Sequence, residues 1–179
     1  SRIFSDVCAA VGHNASRILC VFLSLNSVKS SMKTVAMVLF PDFLLLDMAG
    51  PLEVFSVANR FLKAEAHYQL TTLGTEPGPL RASNGVLVHA DRHIEQTDEY
   101  YDLLLVPGGP GAYNDKSPPL LNWLKGAVNR AKRYGSICTG AFVLGHAGLL
   151  DGYRVTTHWN YTERLIKGFP KANVATDQI

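Results

Sequence analysis

The sequence is poor in cysteine, in net charge and in long apolar runs, and each shortage excludes a class of protein. Three cysteines are present, an odd number whose spacing fits neither a disulfide framework nor a zinc ligand set. A formal net charge of +2 gives no support for binding nucleic acid or a membrane through this domain. The apolar run at residues 18–25 is far shorter than the roughly 20 residues that span a bilayer. We therefore expect a cytoplasmic globular protein without a membrane partner, a metal or another cofactor.

The character of the chain changes at Met32. Residues 1–31 mix serine, asparagine and scattered charges around the short apolar run, and we interpret them as an N-terminal extension. Some helix is expected within it, at residues 4–11. A regular alternation of strand and helix signals begins directly after Met32. Residues 32–179 are therefore interpreted as one domain.

Short apolar runs predict the strands of this domain, and apolar residues at helical spacing predict its helices. The predicted strands cover residues 35–40, 68–73, 86–89, 103–106, 136–137 and 155–157. The predicted helices cover residues 51–63, 120–134, 139–147 and 161–167, the first opening at Pro51 and carrying Phe61 on its inner side. This alternation predicts an α/β fold, with a doubly wound, mostly parallel sheet and helices on both of its faces.

Three features follow strands that such a topology brings to one edge of the sheet. They are the acidic stretch after the first strand, the Gly-rich loop after the fourth and Cys138 after the fifth. Ligands of open α/β sheets bind in the crevice beyond the carboxyl ends of the strands. The three features are therefore expected to form one site.

Cys138 is predicted to be the chemical focus of that site. The stretch from Ser136 to Ala141, S-I-C-T-G-A, has small residues two places before and two places after the cysteine, as a nucleophile elbow requires. A helix N-terminus at this point would favour the thiolate. The alternative is a buried structural cysteine, which is a common role for this residue type. The small residues and the strand–turn–helix pattern favour the functional interpretation.

The loop PGGPG at residues 107–111 offers backbone N–H groups from Gly108 and Gly109 as oxyanion donors, although such a sequence can also be only a turn. Asp47 and Glu53 follow the first strand. They could serve as helix-start acids, or one of them could face the Cys138 sulfur as a proton donor or acceptor. These two alternatives stay open.

His158 ends a predicted strand 20 residues after Cys138. It could orient or deprotonate the cysteine, and a structural histidine explains it equally well. The other histidines of the domain show no metal-ligand spacing.

Four ordered motifs carry a family resemblance: LFPDFLLLDMAGPLEVF, LLVPGGPG, SICTGAFVLGHAGLLDG and VTTHWNY. Together they resemble the ThiJ/PfpI superfamily, also called class I glutamine-amidotransferase-like, and most of all the N-terminal domain of AraC-type transcription regulators. The resemblance implies a flavodoxin-like sheet, a homodimer, Cys138 at an elbow, and a small-molecule pocket surrounded by Gly108, Gly109, Thr139 and Gly140.

The resemblance also implies a function. In the AraC-type regulators this domain is expected to sense a metabolite, while a C-terminal helix-turn-helix domain binds DNA. That second domain is absent from this chain, which is expected to stop short of the last strand and helix of the fold itself. The alternative is an isonitrile hydratase-like enzyme, with Cys138 as nucleophile and Asp47 holding and protonating the substrate or water. PfpI-type peptidases have histidine after the cysteine, where this chain has Thr139, so peptidase activity is not expected.

Overall fold

The centre of the fold is a five-stranded parallel sheet, seen in a computed structural model that describes residues 32–114 and 116–176. The helix expected at residues 4–11 lies outside the described residues. The strands along the chain are β1 (Lys33–Leu39), β2 (Tyr68–Gly74), β3 (Pro79–Arg81), β4 (Leu87–His89), β5 (Arg92–His93), β6 (Leu103–Val106), β7 (Tyr134–Ser136), β8 (Arg154–Val155) and β9 (Asn173–Val174). The sheet has the order β5-β2-β1-β6-β7, and every pairing in it is parallel.

The helices follow the strands as connections. They are α1 (Leu45–Asn59), α2 (Pro110–Asn114), α3 (Pro118–Ala127), α4 (Ala141–His146) and α5 (Thr162–Gly168). Single 3₁₀ turns cover Ala64–Ala66, Ile94–Gln96, Val128–Arg130, Cys138–Gly140 and Trp159–Tyr161. The predicted doubly wound, mostly parallel α/β fold is confirmed.

The central strands explain why the core forms where it does. In β1 the five residues from Val35 to Leu39 are fully buried, and all of β6 is buried as well. Continuous apolar runs of this kind suit a parallel strand that is covered on both faces. Because β1 pairs with β2 on one side and β6 on the other, these runs lie at the centre of the hydrophobic core.

The predicted start of the first helix is wrong. The helix begins at Leu45, so Pro51 lies in its interior and not in its first turn. Asp47 and Pro51 are its buried residues, one turn apart, and this packing against the domain outweighs the proline signal. The helix also ends at Asn59, which leaves Phe61 beyond it and 64% exposed, not on an inner face.

One further boundary and one strand pairing differ from the prediction. Helix α3 ends at Ala127, and Tyr134 begins β7 instead of closing the helix. The strand predicted at residues 86–89 does not join the main sheet, because β4 pairs antiparallel with β3. Asn84 and Gly85 lie between these two strands, and the φ angle of 90° at Gly85 fits a hairpin turn.

The C-terminal part of the described chain forms a separate two-stranded sheet. Strand β8 pairs in parallel with β9, so the strand predicted at residues 155–157 forms one residue earlier and is shorter. Within residues 32–114 and 116–176 no helix is both long and apolar enough to cross a membrane.

Candidate functional site

The site lies where the chain changes direction across the sheet. From β1 the chain passes to β2 on one side, and it returns to pair β6 on the other side of β1. Loops after β1 and β6 therefore diverge and leave a crevice at the carboxyl ends of the strands. The structure brings Asp47, Gly108, Gly109 and Cys138 together there, as the order of elements predicts.

Cys138 occupies a strained turn between β7 and α4. Its φ angle is 52°, a left-handed conformation that is uncommon for residues other than glycine. The Ile137 N–H donates to the Val106 carbonyl oxygen at 2.9 Å, which ties the turn to the end of β6. A Cβ atom at position 140 would overlap that same carbonyl oxygen, so Gly140 is required for this approach. The half-buried thiol is thereby held at the mouth of the crevice.

Asp47 is a buried acid next to that thiol. Its side chain is 4% exposed, and its Oδ2 atom accepts a hydrogen bond from the Gly108 N–H at 3.0 Å. Burial raises the pKa of Asp47, whereas hydrogen bonds from Gly108 and Cys138, and the nearby His158, act to lower it. Burial is the larger effect, so this carboxyl holds its proton more tightly than a solvated aspartic acid.

The turn at Cys138 acts in favour of the thiolate, as expected, but two larger effects oppose it. The pKa of Cys138 is raised, first by burial and next by the negative charge of Asp47. Hydrogen bonds from the backbone and side chain of Thr139 act in the predicted direction and lower it, but they are the smaller effect. Because both main causes oppose ionisation, Cys138 is a thiol at neutral pH.

The glycine N–H groups already have partners inside the protein. The Gly108 N–H bonds to Asp47, and the Gly109 N–H donates to the Thr139 hydroxyl at 2.9 Å. A Cβ atom on Gly108 would lie 2.7 Å from both the Asp47 carboxylate and the Thr139 hydroxyl, so the loop packs directly on these two side chains. The expectation that Gly108 and Gly109 offer free oxyanion donors is therefore wrong. Instead, they fix Asp47 and Thr139.

Of the two acids left open by the sequence, Asp47 faces Cys138. Glu53 is exposed on α1 and is absent from the groups that act on the thiol. His158 is exposed and accepts a hydrogen bond from the Asn160 N–H at 3.2 Å, and its charge acts on Asp47 and not on Cys138. Among residues 32–114 and 116–176 no three histidine, cysteine or acidic side chains are grouped closely enough to bind a metal.

The motifs of the site are those of a known family. The family model described as the DJ-1/PfpI family matches residues 33–177. The chain belongs to the DJ-1/PfpI family. The resemblance inferred from the four sequence motifs is thereby confirmed.

Curated relatives of this DJ-1/PfpI chain include regulators and an enzyme. An uncharacterized protein of the cpoL 5′ region of Streptomyces lividans is 43% identical over 76% of this chain and 94% of its own length. The HTH-type transcriptional regulator CdhR of Pseudomonas aeruginosa is 34% identical, over 78% of this chain and 40% of its own. The isonitrile hydratase of Pseudomonas putida is 31% identical over 73% of this chain and 54% of its own length. The chain thus spans about two fifths of the regulator's length.

A solved structure agrees with the fold. The crystal structure of an AraC family transcriptional regulator from Pseudomonas putida aligns with a TM-score of 0.66 and 24% identity, over 80% of this chain and 76% of that one. At this identity the likeness establishes the fold of the DJ-1/PfpI domain alone.

Sequence reasoning missed one wall of the DJ-1/PfpI site. Tyr113 of α2 and Tyr161 meet through their hydroxyl groups at 3.0 Å, and Arg164 donates to the Tyr113 carbonyl oxygen at 3.0 Å. The Thr157 hydroxyl donates to the Cys138 carbonyl oxygen at 2.9 Å, so the segment after β8 closes against the turn. The one sequence signal was the tyrosine that ends VTTHWNY. Its partner, Tyr113, lies 48 positions away and carries no motif of its own.

Proposed function

We propose that this DJ-1/PfpI domain is the small-molecule-sensing part of an AraC-type transcription regulator, with the ligand bound over Cys138. The resemblance to the regulator CdhR supports the assignment to a regulator. One observation of the site carries the choice of sensing over turnover: the Cys138 thiol has a raised pKa and lies beside an acid. A nucleophilic cysteine reacts as its thiolate, and here the two largest effects on Cys138, burial and the charge of Asp47, both oppose that form.

The hydrogen bonds of the loop support the same choice. A covalent mechanism with an anionic intermediate needs donors aimed at the developing charge. Here the Gly108 and Gly109 N–H groups are satisfied by side chains of the protein itself. These bonds fix the buried side chains of Asp47 and Thr139 next to Cys138, which suits a site that binds and releases a ligand unchanged.

The remaining parts of the proposal concern the whole protein. We place it in the cytoplasm as a homodimer, with residues 1–31 as an extension and DNA bound through a helix-turn-helix domain outside this chain. The share of CdhR that is covered, 40%, leaves room in that protein for a further domain. A metabolite bound over Cys138 would then change the affinity of the attached domain for DNA.

A screen with two readouts tests the sensing site. Metabolites that raise the melting temperature of the chain are expected to slow alkylation of Cys138 by iodoacetamide, measured peptide by peptide by mass spectrometry. The peptides that carry Cys8 and Cys20 are the controls for general loss of reagent. Stabilising metabolites that leave Cys138 as reactive as before would contradict a pocket over this residue.

The second candidate function is that of an isonitrile hydratase-like enzyme, and one contact favours it. The Asp47 carboxylate is hydrogen-bonded to the Cys138 thiol, so it could accept the thiol proton as the sulfur attacks and deliver it to the isonitrile carbon. The S–H group would add across the isonitrile carbon to give a thioimidate. Water would then release an N-substituted formamide and restore the thiol, which balances the reaction as the addition of one water.

Product analysis separates the two functions. The chain is incubated with cyclohexyl isonitrile, and the corresponding formamide is measured by mass spectrometry. Under the sensing proposal no formamide forms beyond the rate without protein. Repeated turnover by the wild-type chain that Cys138→Ala abolishes would replace the sensing function with the hydratase.

A further inference from the structure

A ligand over Cys138 requires polar contacts to fix its orientation, and few donors remain at this site. The N–H groups of Gly108 and Gly109 are engaged with Asp47 and Thr139. The Thr139 N–H is directed at the sulfur itself. A donor for the ligand must therefore come from the wall formed by α2 and the segment after β8.

Tyr113 meets this requirement. The hydroxyl groups of Tyr113 and Tyr161 lie 3.0 Å apart and share one hydrogen bond. Each hydroxyl carries one proton and can also accept, so the pair uses one of its two protons internally and keeps the other for a ligand. Tyr113 is the member of the pair whose helix contacts the turn of Cys138.

The Tyr113 ring is held on several sides. Arg164 bonds to its carbonyl oxygen, and the Arg164 guanidinium lies 4.9 Å from the centre of its ring. The Tyr161 ring centre is 4.8 Å away, and that of Phe142 is 6.2 Å away at a steep angle. A donor fixed by packing and by a second layer of hydrogen bonds loses little entropy when it binds.

Tyr113 also lies next to the reactive turn. Helix α2 contacts the turn Cys138–Gly140, and ionisation of Cys138 raises the pKa of the Tyr113 hydroxyl. The segment that carries Tyr161 is bonded to the turn through Thr157 and the Cys138 carbonyl oxygen. These contacts hold the tyrosine pair beside the turn that carries the thiol.

We propose that Tyr113 is a specificity-determining residue that donates a hydrogen bond to a carbonyl oxygen of the ligand. The ligand class is then a small molecule whose carbonyl group is next to the carbon lying over the Cys138 sulfur. This inference rests on the proposed Cys138 pocket. Tyr161 and Arg164 are positioning residues that act through Tyr113.

Two alkylating reagents test the inference on the full chain. Iodoacetamide has a carbonyl group next to its reactive carbon, whereas allyl bromide has no hydrogen-bond acceptor of this kind. The rate at Cys138 is measured for each reagent by peptide mass spectrometry and divided by the rate of glutathione with the same reagent. In Tyr113→Phe the iodoacetamide-to-allyl bromide ratio is expected to fall roughly three- to tenfold, the effect of one hydrogen bond. The ring and its packing are retained.

The control is Tyr134→Phe, which removes a hydroxyl that donates to the Leu149 carbonyl oxygen away from the thiol. Its ratio is expected to equal that of the wild type, and Tyr161→Phe is expected to give a smaller fall than Tyr113→Phe. An unchanged ratio in Tyr113→Phe, with normal reaction at Cys138, overturns the role of Tyr113 and leaves the pocket standing. A ratio that falls only in Tyr161→Phe makes Tyr161 the donor instead. Failure of Cys138 to react with either reagent overturns the pocket and the inference together.

Discussion

The single residues Asp47 and Cys138 each change the pKa of the other. Burial raises the pKa of both groups, and the negative charge of Asp47 raises the pKa of Cys138 further, whereas the hydrogen bond from Cys138 lowers the pKa of Asp47. The Gly108 N–H partly compensates the carboxylate, and Thr139 partly compensates the thiolate. Such a pair titrates as a unit, so a change at one residue is measurable at the other.

Asp47→Asn is therefore expected to lower the pKa of the Cys138 thiol. The substitution removes the charge that opposes the thiolate and keeps an oxygen that can accept from the Gly108 N–H. At neutral pH the alkylation of Cys138 should become several-fold faster, and its pH profile should move to lower pH. The matched control is Asp42→Asn, since Asp42 is an exposed acid in the turn between β1 and α1, with a φ angle of 57° that asparagine tolerates. A Cys138 profile that stays in place, or moves to higher pH, would show that Asp47 is not the charge that holds the thiol protonated.

Among the helices, strands and turns, those whose signals lie in the local sequence could be predicted. The buried strands β1 and β6 have continuous apolar runs, and the turn at Cys138 has its small flanking residues. The edge strand β5 was not predicted, because Arg92 and His93 carry no apolar signal and are ordered by pairing with the end of β2. The start of α1 was missed for a similar reason: its boundary depends on packing at Asp47 and Pro51.

The candidate site, like the fold, could be predicted from the sequence only in part. The residues that follow β1, β6 and β7 could be placed together, because parallel strands bring their carboxyl ends to one edge. The electrostatics could not be predicted, since the dipole of a helix start is outweighed here by burial and by Asp47. The wall formed by Tyr113 and Tyr161 could not be predicted either, because these two residues lie 48 positions apart in the sequence. Phe169 packs against Gly145, where a Cβ atom would lie 2.5 Å from its ring, and no local pattern links these positions.

At the scale of the whole molecule, a buried acid with a raised pKa makes folding depend on pH. Asp47 binds its proton more tightly in the folded chain than in the unfolded one, where its pKa returns to the ordinary value. As pH rises through that ordinary value, the unfolded chain releases the proton first. The free energy of unfolding therefore loses a contribution between the unfolded and the folded pKa, and the loss is complete above the folded pKa. The raised pKa of Cys138 acts with the same sign in the alkaline range.

We expect Asp47→Asn to remove the first of these losses. Denaturant titrations of the two chains, from below the ordinary pKa of 3.8 up to neutral pH, are expected to show the wild-type free energy of unfolding falling relative to that of the variant as pH rises. The comparison between variants cancels the other carboxyl groups, whose titration is common to both chains. Asp42→Asn again serves as the control, because an exposed acid should leave the difference from the wild type constant across the range. A difference that changes in the opposite direction, with the wild type gaining stability as pH rises, would mean that the hydrogen bonds from Gly108 and Cys138 and the nearby His158 outweigh burial at Asp47. In that case the thiol would face a carboxylate already stabilised in the folded chain.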